Sequence, residues 1–230
     1  MRQALTAAVA VAMVCASAFS QTKRLGEGPN RMELSLDRHE GAAWRAVDPG
    51  FVFAKDDRVR FRFRANFDGY LYVMNQGTSG NYETLFPRQD TGEQNRIEAG
   101  VEYVVPATRG WFRISGPPGH DVLYWLVTPL PLGSQPNYPP LPPPPKSGPV
   151  PPSLTPRCDD TIWKARGECI DSSAGPRGVR GDRKLPENLS AVQGAASREL
   201  LFIRDKNLSI VASPGPLRGP VVYEFRLAHK

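Results

Sequence analysis

The stretch that decides the fold reads Arg58-Val59-Arg60-Phe61-Arg62-Phe63-Arg64-Ala65, with arginine and apolar residues in alternation. Successive side chains of a β-strand point to opposite faces of its sheet. One face of this strand therefore carries four arginines, and the other presents apolar side chains to a core. A sheet with one wet face is typical of antiparallel all-β domains. We therefore predict an all-β fold.

Further short segments around this strand are rich in apolar, β-branched and aromatic residues. They lie at residues 32–36, 70–74, 82–86, 102–105, 110–115 and 122–128, and the tight-turn dipeptide Asp68-Gly69 follows the arginine strand. Short strands at regular spacing favour a sandwich or a small barrel. We predict an antiparallel immunoglobulin-like β-sandwich at residues 31–131, because about 100 residues can bury a single core.

Strand-like patterns return in residues 198–230. Residues 200–203 and 208–212 are largely apolar, and apolar side chains alternate with other residues from Val221 to Leu227. A segment this short cannot bury a core of its own. We predict that these strands pack on the sandwich and complete its sheets, and a separate hairpin is the alternative.

Residues 1–20 have the parts of a secretory signal peptide. Arg2 precedes an apolar run from Ala4 to Val14, and the small residues Ala16-Ser17-Ala18 follow. The run is shorter than the roughly 20 residues of a spanning helix, which favours cleavage over a membrane anchor. Cys15 raises the alternative of a lipoprotein, but Val14 stands where such signals carry a small residue. We expect a periplasmic or extracellular protein without a membrane span, with a loose leader at residues 21–30.

The charge of the chain suggests its partners only in outline. After removal of residues 1–20 it carries 28 basic and 23 acidic residues, a formal net charge of +5. This excess suits an anionic surface of the cell envelope, and it is equally compatible with ordinary solubility. Export disfavours nucleic acid. The expected partner is an unknown protein or an anionic envelope ligand.

Cys158 and Cys169 are the cysteines that remain after residues 1–20 are removed. In an oxidising compartment, two cysteines at this spacing predict one disulfide. Asp159, Asp160 and Glu168 offer oxygen ligands, but carboxylates with thiolates at this spacing fit no common metal site. We predict a disulfide here and expect neither a metal nor a cofactor.

Prolines dominate the stretch from Pro129 to Pro156, where they make up 13 of 28 residues. Such a run favours polyproline II at about 3.1 Å per residue, so that it would span roughly 80–90 Å when fully extended. We predict a linker at residues 132–157 that acts as a stiff spacer, and the alternative is a docking peptide for an aromatic groove. The disulfide loop and a flexible, glycine- and arginine-rich segment are predicted at residues 158–197.

Several motifs cluster in and beside the arginine strand. They are Phe53-Ala54-Lys55-Asp56-Asp57-Arg58-Val59-Arg60-Phe61, Asp68-Gly69-Tyr70-Leu71-Tyr72-Val73 and Leu85-Phe86-Pro87, with Gly119-His120-Asp121 further on. Together they resemble the bacterial domain-of-unknown-function 4384 family over residues 50–130, although the last turn more usually carries Glu. The resemblance implies a β-sandwich module with no established activity, often attached to signalling kinases, caspase-like peptidases or repeat domains.

The histidines form no catalytic or metal-binding pattern. His39, His120 and His229 are scattered along the chain, and each is predicted to lie on the surface. His120, Asp121 and Ser115 are close enough in sequence to suggest a relay, but a rigid Gly-Pro-Pro-Gly turn separates them and nothing supplies an oxyanion hole. We predict that the protein is not an enzyme.

The arginine face is the best candidate for a binding site. Its guanidinium groups lie about 6.5–7 Å apart along the strand, and they suit carboxylates or phosphates. Trp111 and Arg113 could extend this surface. The candidate binding residues are therefore Arg58, Arg60, Arg62, Arg64, Trp111 and Arg113. The interpretation we favour is an arginine ladder paired with acids of neighbouring strands, such as Glu33, Asp37 or Glu102.

The function we expect is that of an exported, non-catalytic binding or interaction module at the bacterial cell envelope, with an unknown ligand. The alternative is a structural envelope protein whose proline-rich tether contacts the cell wall. If the arginine face binds a ligand, replacing Arg60 and Arg62 by Ser should abolish capture and leave folding intact.

Overall fold

The computed structural model describes residues 29–87, 95–107, 110–136, 138–148, 155–179, 184–194 and 199–230. The signal peptide predicted at residues 1–20 lies outside these residues, as does the predicted leader apart from residues 29 and 30. Within the ranges described, no helix is both long enough and apolar enough to cross a membrane.

The described residues form two β-sheets with little helix. The strands are β1 (Asn30–Glu40), β2 (Ala43–Val47), β3 (Arg58–Ala65), β4 (Gly69–Gln76), β5 (Tyr82–Phe86), β6 (Arg96–Ile97), β7 (Glu102–Val105), β8 (Phe112–Arg113), β9 (Gly119–Thr128), β10 (Gly175–Gly178), β11 (Leu201–Asp205), β12 (Leu208–Ser213) and β13 (Val221–His229). An α-helix, α1, spans Asp160–Arg166, and a 3-10 helix spans Glu187–Val192. The predicted all-β class is confirmed.

The sheets pack face to face as a sandwich, and within each sheet the paired strands run antiparallel. The first sheet has the order β11-β12-β1-β3-β7, with β2 beside β1 and β8 beside β3. The second has the order β10-β13-β9-β4-β5, with β6 beside β4. Because β12 pairs with β1 and β13 pairs with β9, the C-terminal strands complete both sheets. This arrangement agrees with the prediction.

The side chains of β3 divide between core and surface as their alternation predicts. Val59, Phe61, Phe63 and Ala65 are buried between the sheets. The ring of Phe61 packs edge-on against Trp125 of β9, with the ring centres 5.4 Å apart. Aromatic pairs of this geometry add to the stabilisation that burial alone provides. The two-residue period of the arginine strand therefore places the core correctly.

The second sheet is covered on both faces. Every residue of β9 is buried, because its inner side chains face the first sheet and its outer side chains are covered by other segments. The outer cluster contains Met74, Val122, Tyr124, Leu126, Leu185, Leu189, Val192 and Val222. The prediction of a sheet with one wet face therefore applies to the first sheet and not to the second.

The proline-rich segment lies on this outer face, so its described part is not the extended spacer that we predicted. Leu132 and Leu141 pack against the outer cluster. The backbone N–H of Leu132 donates to the Tyr72 hydroxyl at 3.1 Å, and the N–H of Gly148 donates to the carbonyl of Gly80 at 3.0 Å. The apolar side chains between the prolines explain the difference, because they gain burial by lying on the sheet.

The segment at residues 158–197, predicted to be flexible, contains regular structure. The predicted Cys158–Cys169 disulfide is confirmed, and α1 lies within the loop that it closes. Asp159 caps this helix, because its Oδ1 accepts hydrogen bonds from two backbone N–H groups of the first turn at 2.9 and 3.0 Å. Gly167 ends the helix at a positive φ of 70°. Further along, β10 joins the edge of the second sheet beside β13.

Candidate functional site

The arginine face lies on the outer side of the first sheet, where acids of β1 oppose it. Asp37 and Arg60 are direct cross-strand partners. Arg62 Nε lies 2.9 Å from Asp37 Oδ2, and Arg60 Nε lies 3.0 Å from the same oxygen. Asp37 is only 2 % exposed. One buried carboxylate therefore holds two of the predicted binding residues.

The neighbouring arginine is also paired, and β7 supplies a further acid. Arg64 Nη2 lies 2.6 Å from Glu33 Oε2, and Arg62 Nη1 lies 3.3 Å from Glu102 Oε2. The hydrogen bond to Asp37 raises the pKa of Arg62, and the hydrogen bond to Glu33 raises the pKa of Arg64. These contacts form the arginine ladder that we favoured, and they involve each of the three acids suggested from the sequence.

The other three candidate residues meet at one end of this face, which we call the basic corner: Arg58, Trp111 and Arg113. The guanidinium carbon of Arg58 lies 4.7 Å from the centre of the Trp111 ring. Arg113 is the direct cross-strand partner of Arg58. Its side chain is 57 % exposed and lies 3.7 Å from the carboxylate of Asp56. Within the described part of the chain, Arg58 forms no ion pair with a carboxylate.

Two histidines that we predicted to lie on the surface are buried, so that prediction is wrong. His120 is 7 % exposed and His229 is 1 % exposed. His229 Nε2 lies 3.3 Å from Asp121 Oδ1, and His120 Nε2 lies 3.2 Å from Asp171 Oδ2. The reason is that β9 and β13 are covered on both faces, so that alternate positions do not lead to solvent.

His120 is placed differently from the histidine of a catalytic relay. Its Nε2 lies 3.3 Å from Ser173 Oγ as well as 3.2 Å from Asp171 Oδ2. A serine relay uses one ring nitrogen for the serine and the other for the carboxylate, whereas here one nitrogen faces both groups. The contacts described for its Nε2 are therefore with the segment that follows the disulfide loop.

Asp171 anchors that segment through several hydrogen bonds. The backbone N–H of Arg157 donates to Oδ2 at 2.9 Å, and that of Ser173 donates to Oδ1 at 2.7 Å. Burial alone would raise the pKa of Asp171, but the hydrogen bonds from Ser173 and Arg157 and the nearby His120 lower it. Among the residues with described positions, no group of three or more His, Cys, Asp or Glu side chains is arranged to hold a metal.

An open groove of about 790 Å³ lies on the outer face of the second sheet. We call it the tyrosine groove, because Tyr72, Tyr82 and Tyr124 line it together with prolines 140 and 142–144. This groove was not expected from the sequence. The sequence feature that could have indicated it is the presence of tyrosines in two neighbouring strand segments together with a later proline-rich run. The sequence does not show, however, that these segments meet in the fold.

Residues 52–131 match the family model described as "Domain of unknown function (DUF4384)". This match confirms the resemblance, and the matched part of the chain, from β3 to β9, is a domain of that family. It covers 80 of the 230 residues, so β1, β12 and β13 lie outside it. No curated protein and no solved structure matches the chain.

Proposed function

We propose that this protein is an exported, non-catalytic binding module of the bacterial cell envelope that captures an anionic ligand at the basic corner. The observation that carries the proposal is the direct cross-strand pairing of Arg58 with Arg113. Like charges in directly opposite positions destabilise a sheet. The pair is therefore a cost to folding that a bound anion would offset.

The basic corner differs from the ladder in the donors that remain for a ligand. Arg60, Arg62 and Arg64 already donate to carboxylates of the first sheet. Arg113 has one acid nearby, at 3.7 Å, and Arg58 stacks on Trp111. Guanidinium groups present forked donors that match carboxylates and phosphates. A carboxylate- or phosphate-bearing polymer of the envelope is the ligand class that fits two such groups on an exposed surface.

The alternative of a structural envelope protein depends on a proline-rich tether that reaches the cell wall. The described part of that segment packs on the second sheet through Leu132 and Leu141. No observation among the described residues of this segment favours the structural role.

The test is binding to an immobilised carboxylate-bearing polysaccharide, alginate, with neutral dextran as the control surface. We expect the protein to bind alginate, and we expect salt to weaken the binding because exposed charges are screened. Replacing Arg58 and Arg113 together by Ser should lower the affinity by about tenfold or more, since each lost tenfold corresponds to about 1.4 kcal/mol.

The matched control is Arg64→Ser, tested as a single change beside Arg58→Ser. Both substitutions remove one positive charge from β3, but Arg64 is bound to Glu33, which keeps Arg31 as a partner at 2.7 Å. Equal loss of binding in the two variants would show a non-specific charge effect and contradict the proposal. The variant with Arg60 and Arg62 replaced is unsuitable, because it leaves the buried Asp37 without these partners.

A further inference from the structure

We infer that the ligand of the basic corner is a uronate polysaccharide whose sugar rings pack on Trp44 and Trp111. The inference rests on the proposed function and names its ligand class more closely. The polymer is one whose repeating unit is a sugar ring that itself carries a carboxylate. The inference also adds Trp44 and Arg60 to the site.

Trp44 lies on the same outer face of the first sheet as the basic corner. The guanidinium carbon of Arg60 lies 4.5 Å from the centre of the Trp44 ring. At this end of the sheet the strand order is β2-β1-β3-β8, and Trp111 directly precedes β8. The two tryptophans therefore flank β1 and β3, and they are three strand spacings or about 14 Å apart.

The two tryptophans form equivalent stacks with arginines of β3. The guanidinium carbon of Arg58 lies 4.7 Å from the centre of the Trp111 ring, and that of Arg60 lies 4.5 Å from the centre of the Trp44 ring. The two arginines occupy alternate positions of one strand, about 6.5–7 Å apart. A repeated pair of aromatic ring and cation matches a polymer that repeats a sugar ring and an anion.

Both of these arginines keep hydrogen-bond donors for such a ligand. Asp37 accepts a hydrogen bond from Arg60 Nε, and among the described residues the two Nη groups of Arg60 have no hydrogen-bond partner. The nitrogens of Arg58 have none in the same part of the chain. A uronate carboxylate can therefore accept two parallel hydrogen bonds from a guanidinium group that the protein has not saturated.

The tryptophans distinguish a sugar acid from other polyanions. Trp44 and Trp111 are half-buried, so that part of each side chain remains exposed. A pyranose ring presents C–H groups on its face, and these pack against the negatively polarised face of an indole. Neither indole N–H has a hydrogen-bond partner among the residues with described positions, so each can donate to a sugar hydroxyl. A polyphosphate would satisfy the arginines but would leave both tryptophans unused.

The same placement disfavours an anionic membrane surface as the ligand. A tryptophan that anchors a protein in a bilayer interface has to project its ring into the headgroup region. Trp44 instead packs against Arg60 and also against His39, whose ring centre lies 4.9 Å from its own. Trp163 is more exposed, at 51 %, but it lies on α1 and not on this face.

The experiment compares alginate with polyacrylate, which is a carboxylate polymer without sugar rings. Both polymers carry fluorescein and have matched length, and fluorescence polarisation measures their affinity for the protein at equal ionic strength. We expect the wild type to prefer alginate by about tenfold or more. Trp44→Leu should bring the ratio of the two affinities close to one, because the sugar rings lose a platform. The matched control is Trp163→Leu, which removes an exposed tryptophan outside the site and should leave the ratio unchanged.

If Trp44→Leu lacks the circular dichroism spectrum of the wild type, hydroxyl-radical footprinting of the wild type decides instead. The four tryptophans of the chain provide internal references. Alginate should protect Trp44 and Trp111 from oxidation and leave the exposed Trp163 reactive. Trp125 is fully buried and should stay unreactive throughout. Polyacrylate should leave Trp44 unprotected.

The outcomes separate a failure of this inference from a failure of the proposed function. Equal affinity for the two polymers would overturn the inference and leave anion capture by the basic corner intact. If neither polymer binds, the proposed function is wrong and the inference falls with it. The inference is also overturned if Trp44→Leu keeps the preference for alginate or if Trp163→Leu removes it. Tighter binding to phosphatidylglycerol vesicles than to alginate would assign the site to membranes instead.

Discussion

Arg62 binds both carboxylate oxygens of Asp37 across two neighbouring strands. Its Nε lies 2.9 Å from Oδ2, and its Nη2 lies 3.1 Å from Oδ1. Such a two-point contact is stronger and more directional than a single ion pair. Asp37 is buried while Arg62 is partly exposed, so the carboxylate depends on its partners more than the guanidinium does.

The first prediction concerns that carboxylate. Asp37→Asn should lower the free energy of unfolding by about 3 kcal/mol, because it breaks a largely buried ion-pair network and leaves two arginines without this partner. Urea denaturation followed by circular dichroism measures the change. The control is Glu102→Gln, which removes an acid that also contacts Arg62 but is 51 % exposed. It should cost about 1 kcal/mol or less, and an equal cost for both variants would contradict the assignment.

The second prediction concerns the core face of β3. Phe61→Ala should lower the free energy of unfolding by about 4 kcal/mol. Phe61 is fully buried, and its ring contacts Trp125 and Phe225, with centres 5.4 and 4.9 Å away. Denaturant unfolding measures this loss, with Arg64→Ala on the opposite face of the strand as the control. A larger effect at Arg64 would mean that the faces are reversed.

The third prediction concerns acid pH. Asp171 binds protons less tightly in the folded state than in the unfolded state, because hydrogen bonds lower its pKa below the ordinary value of 3.8. Its contribution to stability is therefore fully present above that value and is lost as the pH falls through the lower, folded pKa. Thermal melts from neutral pH down to about pH 2 should show a shallower loss of stability for Asp171→Asn than for the wild type. Parallel curves would contradict this sign.

The fourth prediction concerns the disulfide, which joins residues 11 apart in the sequence. Reduction should lower the free energy of unfolding by about 3 kcal/mol, because breaking the disulfide opens the loop and raises the conformational entropy of the unfolded chain. The loop is also tied to the sandwich, since the N–H of Val52 donates to the carbonyl of Cys169 at 2.9 Å. Unfolding with and without reductant measures the effect. Replacing both cysteines by Ser should remove the sensitivity to reductant.

Much of the sandwich could be predicted because alternation is a local property of the chain. The alternation at residues 58–65 correctly predicted which side of β3 faces the core, since each apolar side chain of this strand is buried. Two elements could not be read in this way. Strand β2 has no fully buried residue, and no prediction covered it. The strand expected at residues 110–115 is a regular strand only over Phe112–Arg113.

The outer cover of the second sheet could not be predicted, because it depends on contacts between distant segments. Leu189 of the 3-10 helix belongs to the same buried cluster as Tyr124 of β9, and neither residue's local sequence suggests the other. The same holds for His120 and Asp171, which are 51 residues apart. The arginine ladder could be predicted from the sequence more readily, because Glu33 and Asp37 fall at alternate positions of a recognisable strand. Trp111 and Arg113 were predicted to extend the arginine face, but their placement beside Arg58 depends on the strand register, which the sequence does not show.

The pairing of β13 with β9 has a consequence for how the chain is made. Until residues 221–229 have left the ribosome, the fully buried strand β9 lacks one of its two neighbours in the second sheet. β1 likewise waits for β12. Such long-range pairing slows folding and delays it until residues 221–229 have been synthesised. Neither sheet can therefore be completed before that point. A fragment cut at residues 52 and 131, the bounds of the family match, would lack β1, β12 and β13 and so leave both sheets incomplete.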